Sequence, residues 1–196
     1  MRYQDRTVFQ KICILAGSLL LVAACAILLL WQWNIRTAQQ QARDYVLELQ
    51  ELLPEPRNAV PEERRDNTMP VVSLDGTDLV GILEIPLFDS VLPVRADWGE
   101  PTKIPRRLSG SIYDGSLQIG ATSQEGQYEL YRSLSVGDSV FFTDMEGNRY
   151  ALTITDLRYD KHADQEALQR HEATLTLFIK NIYAFEYLIV FCDVPR

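Results

Sequence analysis

The chain has 196 residues, 46% of them hydrophobic and 23% charged, with a formal net charge of −8. That apolar content excludes wholesale disorder and collagen-like repetition, and the length allows one modest domain plus accessory segments. Charge cancels over residues 1–70, so the whole excess of acid falls in residues 71–196, and an acidic domain without a basic stripe argues against a nucleic-acid partner.

Ile12 to Trp33 is a run of 22 residues without a charge. A bilayer core of about 30 Å takes roughly 20 such residues as a helix. Trp31 and Trp33 close the run where aromatic rings favour an interface, and Arg2, Arg6 and Lys11 precede it. The run is therefore expected to be a single membrane-spanning helix, with residues 1–11 as a cytoplasmic tail and the C-terminal part outside. Val22-Ala23-Ala24-Cys25 is similar to a lipoprotein cleavage box, but the apolar AILLLWQW that follows is unlike the polar sequence after a lipid-modified cysteine. Cys13, Cys25 and Cys192 are too few for a disulfide framework.

Residues 34–53 read as a helix leaving the membrane. Tyr45, Leu47, Leu49, Leu52 and Leu53 form a partial apolar stripe on what is expected to be a stalk. Residues 54–70 carry Pro54, Pro56, Pro61 and Pro70 in a polar stretch, which reads as a semi-extended linker. The globular domain is thus expected over 71–196.

That domain reads as mainly β. Strands are predicted over Leu79–Ile85 and Val91–Ala96, then on both sides of the Asp114-Gly115 turn within Gly110–Gly120. Ser139–Thr143 and Arg149–Asp156 flank Asp144-Met145-Glu146-Gly147-Asn148, a hairpin signal. Thr174–Ile179 and Glu186–Cys192 are β-rich apolar runs near the end, and only Asp164–His171 has clear helical character, with a helical turn over Gln127–Leu134. Many short strands with turn residues between them predict a closed or nearly closed barrel.

The succession of these segments resembles a sortase, the membrane-anchored cysteine transpeptidase of Gram-positive bacteria, and is closest to the class B type. The likeness covers residues 79–196. It runs from Val80-Gly81-Ile82-Leu83-Glu84-Ile85-Pro86 and Leu92-Pro93-Val94, through Tyr113-Asp114-Gly115-Ser116, to Leu134 and Gly137-Asp138-Ser139-Val140. The hairpin and Leu175-Thr176-Leu177-Phe178 complete it. The resemblance implies an eight-stranded β-barrel with short connecting helices, behind an N-terminal transmembrane helix.

It also implies a Cys that forms a thioester, a His that moves protons and an Arg that stabilises the oxyanion. Here the matching positions are Thr122 for the His (Ala121 with a one-residue shift), Lys180 for the Cys and Tyr187 for the Arg. Threonine carries no proton titrating near neutrality, and an attacking lysine amine would leave a stable amide instead of a labile thioester. No catalytic residue is therefore expected at these positions. Ala121, Thr122, Lys180, Glu186 and Tyr187 are the candidate groove residues.

The expected role is binding, with a sorting-signal peptide, a surface or pilus protein, or an active sortase as partner. Two alternatives stand beside it. One is acyl transfer by displaced groups: Cys192, His162, His171, or Lys180 paired with Ser111, Ser116 or Ser123. The other is a purely structural role, with Tyr183, Phe185 and Tyr187 filling the groove. Asp160, Asp164 and Glu166, and separately Glu100, Asp114 and Glu125, offer hard oxygen ligands, as in calcium-binding sortases. They lack the spacing of a ligand loop, so no cofactor is expected.

Overall fold

The computed structural model describes residues 16–27, 29, 43–62, 66–97, 104–122, 131–161, 173–181 and 186–195. The chain divides into two compact units, Met1–Gln40 and Gln41–Arg196. In the first, residues 16–27 and 29 are helical and exposed. No helix among the described residues is long and apolar enough to cross a membrane. Residues 12–15, 28 and 30–33 of the expected span lie outside the described residues.

Among the described residues the second unit has a helix over residues 43–52, followed by ten strands. These are β1 (Arg57–Ala59), β2 (Val72–Leu74), β3 (Thr77–Ile85), β4 (Ser90–Arg95), β5 (Arg106–Ser109), β6 (Leu117–Thr122), β7 (Ser139–Asp144), β8 (Asn148–Asp160), β9 (Leu175–Asn181) and β10 (Glu186–Asp193). A single 3-10 turn, Pro86–Phe88, links β3 to β4.

Eight of the strands close a ring in the order β8-β10-β9-β6-β5-β4-β3-β7 and back to β8. The strand pattern predicts a closed or nearly closed barrel and the sortase resemblance implies eight strands; the ring has both features. The remaining two are additions outside the ring. β2 pairs with Thr77–Leu79 of β3 and β1 pairs in parallel with Asn148–Tyr150 of β8. The ring is thinnest between β4 and β5, which share one residue pair, Arg95 with Arg106.

Alternation decides which side chains fill the barrel. Along β8, Tyr150, Leu152 and Ile154 point inward and are buried, while Ala151 and Thr155 are exposed. β9 is buried on both faces. Leu175, Leu177 and Ile179 join the barrel core, whereas Phe178 packs outside it with Ile189, Phe191 and Ala173. A strand buried on both sides reads as a continuous apolar run, which is why Leu175–Ile179 is legible without alternation.

The compact unit begins at Gln41 instead of near residue 71. Leu49 of the expected stalk is buried in a second apolar cluster with Leu74, Leu79, Ile82 and Met145, and Val46 of the same helix is also buried. Tyr45 and Leu53 pack against it, whereas Leu47 and Leu52 face solvent. The expected linker supplies β1 and the buried Met69. Composition missed this because the prolines bracket these anchoring residues without interrupting them. Sequence pattern also missed β5, a four-residue strand of RRLS, and placed the end of β8 four residues short of Asp160.

The stretch from Gly110 to Ser116 is a tight turn, not the flanking strands expected there. Ser116 N–H bonds Ser111 O at 3.0 Å and Gly115 N–H bonds Ile112 O at 3.3 Å. Gly110 sits at φ +70°, and a Cβ there would lie 1.9 Å from Ser116 O. Only glycine fits both the left-handed backbone and the contact. Gly110→Ala is expected to cost about 2–4 kcal/mol, read from the denaturant midpoint of the full chain. A change below about 0.5 kcal/mol would show that the turn relaxes freely.

Candidate functional site

Three of the five candidate positions fall into one row. β6 runs parallel to β9 with Thr122 opposite Lys180, and β10 runs antiparallel to β9 with Tyr187 opposite Lys180. Residues directly opposite one another share a face of the sheet. Thr122, Lys180 and Tyr187 therefore occupy adjacent places at the same end of three neighbouring strands. The row continues to Asp160 of β8, which is opposite Tyr187.

For Lys180 and Tyr187 the face is the outer one. One step down the strands, Gly120 faces Phe178 and Phe178 faces Ile189, the apolar cluster outside the barrel. Lys180 Nζ lies 5.8 Å from the centroid of the Tyr187 ring, within range for a cation–π contact. Leu108 lies over Gly120, where a Cβ would come 2.7 Å from its Cδ2. Arg158 caps Phe191, with its guanidinium carbon 4.6 Å from the ring centroid. Much of the floor below the row is thus filled by the chain's own side chains.

The other two candidates are not part of the row. Ala121 is opposite Ile179 and packs against the barrel core, on the reverse face of the sheet. Glu186 is opposite Asn181, one residue out of phase with Tyr187, so alternation sends it to the other side. Ala121 corresponds to the alignment shifted by one residue, and a shift of one residue in a strand exchanges the faces.

Cys192, the only cysteine of the second unit, is far from the row. It is opposite Leu175 and belongs to the barrel core, fully buried. Five residues of strand separate it from Tyr187, about 17 Å, and an odd count puts it on the opposite face. Burial, and then the neighbouring Asp193 charge, push its thiol well above the ordinary range. A nucleophilic thiolate needs the reverse environment.

The imagined serine partners of Lys180 are also remote. Ser111 and Ser116 lie in the turn that precedes β6, at the end opposite Thr122. Ser111 Oγ accepts from Tyr113 N–H at 3.2 Å and Ser116 Oγ accepts from Ser111 N–H at 3.2 Å, so both hydroxyls serve the turn. Ser123, His162, His171, Tyr183 and Phe185 lie outside the described residues. Among the described residues no group of three or more His, Cys, Asp or Glu side chains could hold a metal ion. Asp114 instead accepts from Ser116 N–H at 3.1 Å and from Asn67 Nδ2 at 3.4 Å. Asp164, Glu166, Glu100 and Glu125 fall outside the described residues.

On the inner side of the same sheet end is an apolar cavity of about 10 Å³, lined by Ile119, Ala121, Leu177, Ile179 and Tyr131. That space admits at most one water-sized body. Tyr131 packs edge-on to Phe88 with ring centroids 5.9 Å apart. Burial pushes its phenol up to about 12, from 10.0. A raised folded value means the contribution is complete below pH 10 and is lost as pH climbs toward 12. Wild-type stability is expected to fall by about 2–3 kcal/mol over that interval, and Tyr131→Phe to remove that part of the fall. Urea midpoints of both chains at pH 9 and pH 11.5 read the difference; parallel losses would contradict it.

The strongest polar cluster was not foreseen in the sequence beyond its turn. Asp144, fully buried at the β7–β8 hairpin, takes Glu146 N–H and Asn148 N–H on Oδ1, each at 2.9 Å. Its Oδ2 takes Tyr113 Oη at 3.0 Å, Asn148 Nδ2 at 2.9 Å and Tyr150 Oη at 3.4 Å. Arg57 Nε donates to Asn148 Oδ1 at 3.1 Å, which ties β1 into the cluster. These partners tie the hairpin to β1, to β8 and to the Gly110–Ser116 turn.

A barrel of this closure and strand order, with its outer row across β6, β9 and β10, has a sortase-like fold. The solved structure of sortase A from Corynebacterium diphtheriae is similar to it at a TM-score of 0.50 and 16% identity, covering 79% of this chain and 81% of that one. Sortase C1 from Streptococcus agalactiae gives 0.49 at 18% identity, covering 63% of this chain and 72% of that one. Its complex with MTSET gives 0.45 at 16% identity, and the match spans 57% of this chain and 66% of that one. No protein-family profile and no curated protein matches the sequence.

Proposed function

We propose that this chain is a membrane-anchored sortase-fold protein that does not perform thiol transpeptidation and acts by binding a peptide or polypeptide partner at the Thr122–Lys180–Tyr187 row. The observation that carries this reading is the register of Lys180 between Thr122 and Tyr187, with Cys192 in the barrel core on the reverse face. An ammonium stands where the resemblance calls for a thiolate. It can hold a carbonyl or carboxylate oxygen, but it offers no labile acyl linkage. The class B likeness rests on the sequence motifs, and the solved structures reported above are sortases A and C. The apolar run Ile12–Trp33 supports anchoring in the plasma membrane with the barrel on the outer side.

The test uses the full chain in lipid vesicles with fluorogenic sorting-signal peptides of both common sortase types. We expect no cleavage, no covalent adduct by intact mass, and saturable binding that weakens about tenfold in Lys180→Ala, roughly 1.4 kcal/mol. An acyl adduct on Lys180 or Cys192 would replace this reading with catalysis by displaced groups. Absence of both turnover and binding would favour the purely structural role.

A further inference from the structure

The outer face of the barrel carries a row of residues that crosses six strands. Arg95 of β4 is opposite Arg106 of β5, and Arg106 is opposite Gly120 of β6. The row continues through Phe178 of β9 and Ile189 of β10 to Arg158 of β8. Alternation keeps Arg106 out of the core, because its neighbour Arg107 is opposite Ile119, which is buried there. Arg95 with Arg106 is also the single register pair that closes the ring between β4 and β5. Like charges directly opposite one another disfavour the pairing they stand on. Asp97 offsets part of this, accepting from Arg95 Nη2 at 3.1 Å. Lys180 stands two residues along β9 from Phe178, on the same face, with its ammonium 5.8 Å from the Tyr187 ring centroid. Arg95, Arg106 and Lys180 are thus gathered on one side of a domain whose net charge is negative.

We propose that this face is the site of an acidic peptide, with one carboxylate held at the Arg95–Arg106 seam and a second at Lys180. The proposal rests on the peptide-binding reading above and names the ligand. From the place of Arg106 to that of Lys180 is two strand spacings across and two residues along, about 12 Å, or roughly four residues of extended chain. Between them Leu108 lies over Gly120 and packs with the apolar cluster of Phe178 and Ile189, so the residues between the two acids meet an apolar surface. An extended peptide with apolar residues between two acids suits that spacing, whereas a polyphosphate has no apolar part to offer. A carboxylate at the seam stands between two guanidinium groups and relieves their repulsion. The β8 side is closed to such a ligand: Asp156 accepts from Arg158 Nε at 2.9 Å, and Asp160 is opposite Tyr187. Acid on β8 turns the ligand toward β5, and the negative charge of the rest of the domain disfavours its binding elsewhere.

The test titrates the full chain in phosphatidylcholine vesicles with three short fluorescent peptides, read by anisotropy. The first carries two aspartates about four residues apart with alanine and leucine between them. The second has asparagine at both places, and the third has the two aspartates side by side. We expect the spaced diacid to bind about tenfold tighter than its asparagine twin and about threefold tighter than the adjacent diacid at low salt. Most of that preference is expected to vanish in about 0.5 M salt and in Arg106→Gln. Lys180→Gln is expected to abolish the difference between the two diacids, and its persistence overturns the assignment of the second carboxylate. Equal binding of the diacid and asparagine peptides to the unaltered chain overturns the acidic ligand, whatever the variants do. Equal binding of the two diacids overturns the two-point spacing. Binding of sorting-signal peptides but of none of these three overturns the acidic ligand alone and leaves peptide binding intact. Binding of neither kind overturns the reading on which the proposal rests.

Discussion

Asp144→Ala is expected to lose about 4 kcal/mol of unfolding free energy, enough to lower the melting temperature by roughly 10 °C. The substitution removes the acceptor for two backbone amides, two tyrosine hydroxyls and one amide side chain at a single buried place. Each buried donor left without a partner costs about 1–3 kcal/mol, and the five share one site, so their losses do not simply add. Asn148→Ala is expected to cost less, because Tyr113 and Tyr150 keep their acceptor. Denaturant titration of the full chain and both variants settles the order. A loss under about 1 kcal/mol for Asp144→Ala would mean that water replaces the carboxyl at little cost.

A chain that begins at residue 71 is expected to be largely unfolded, whereas one that begins at residue 41 is expected to fold. The shorter chain lacks Val46, Leu49 and Met69, which are buried in the full chain, and it lacks β1. Burying side chains of this size contributes about 1.5–3 kcal/mol each, so their loss is worth on the order of 5–8 kcal/mol. A domain of this kind has about 5–15 kcal/mol in total. The truncation also exposes Leu79, Ile82 and Met145, an apolar surface that favours aggregation. Circular dichroism and a thermal melt of the two truncated chains decide it. A cooperative transition in the shorter chain, close to that of the longer, would show that residues 41–70 only decorate the barrel.

The same truncation bears on the functional assay. An activity test on residues 71–196 alone would confuse loss of fold with loss of chemistry, and for that reason the peptide experiment uses the full chain. Position in the chain does not decide which face of the sheet a residue shares. Cys192 is twelve residues from Lys180 in the chain and shares the same hairpin, yet it is sealed in the core on the other side.

How much of this was legible depends on the range of the interaction. The strands around β3, β7, β8, β9 and β10 are readable because alternation and apolar runs are local, and the Asp144–Asn148 turn announces its hairpin by composition. The alignment of Thr122, Lys180 and Tyr187 followed from family resemblance, and the register of three strands places those positions side by side. Ala121 and Glu186 show the limit of that reasoning. Each is one residue from a member of the row, and one residue is half a period of a strand.

The sequence alone determined the mainly β class of the domain and its closure into a barrel, because alternation, apolar runs and turn residues are local; the number of strands and the positions compared with catalytic Cys, His and Arg came from the family resemblance. Tertiary structure decided which faces those residues share, the fate of Cys192 and the docking of residues 43–59. Leu49 meets Ile82 and Met145, and Arg57 meets Asn148, across separations of 30 to about 100 residues. No window of sequence contains both partners of such a contact, and a polar stretch with four prolines looks the same whether it floats or is strapped down.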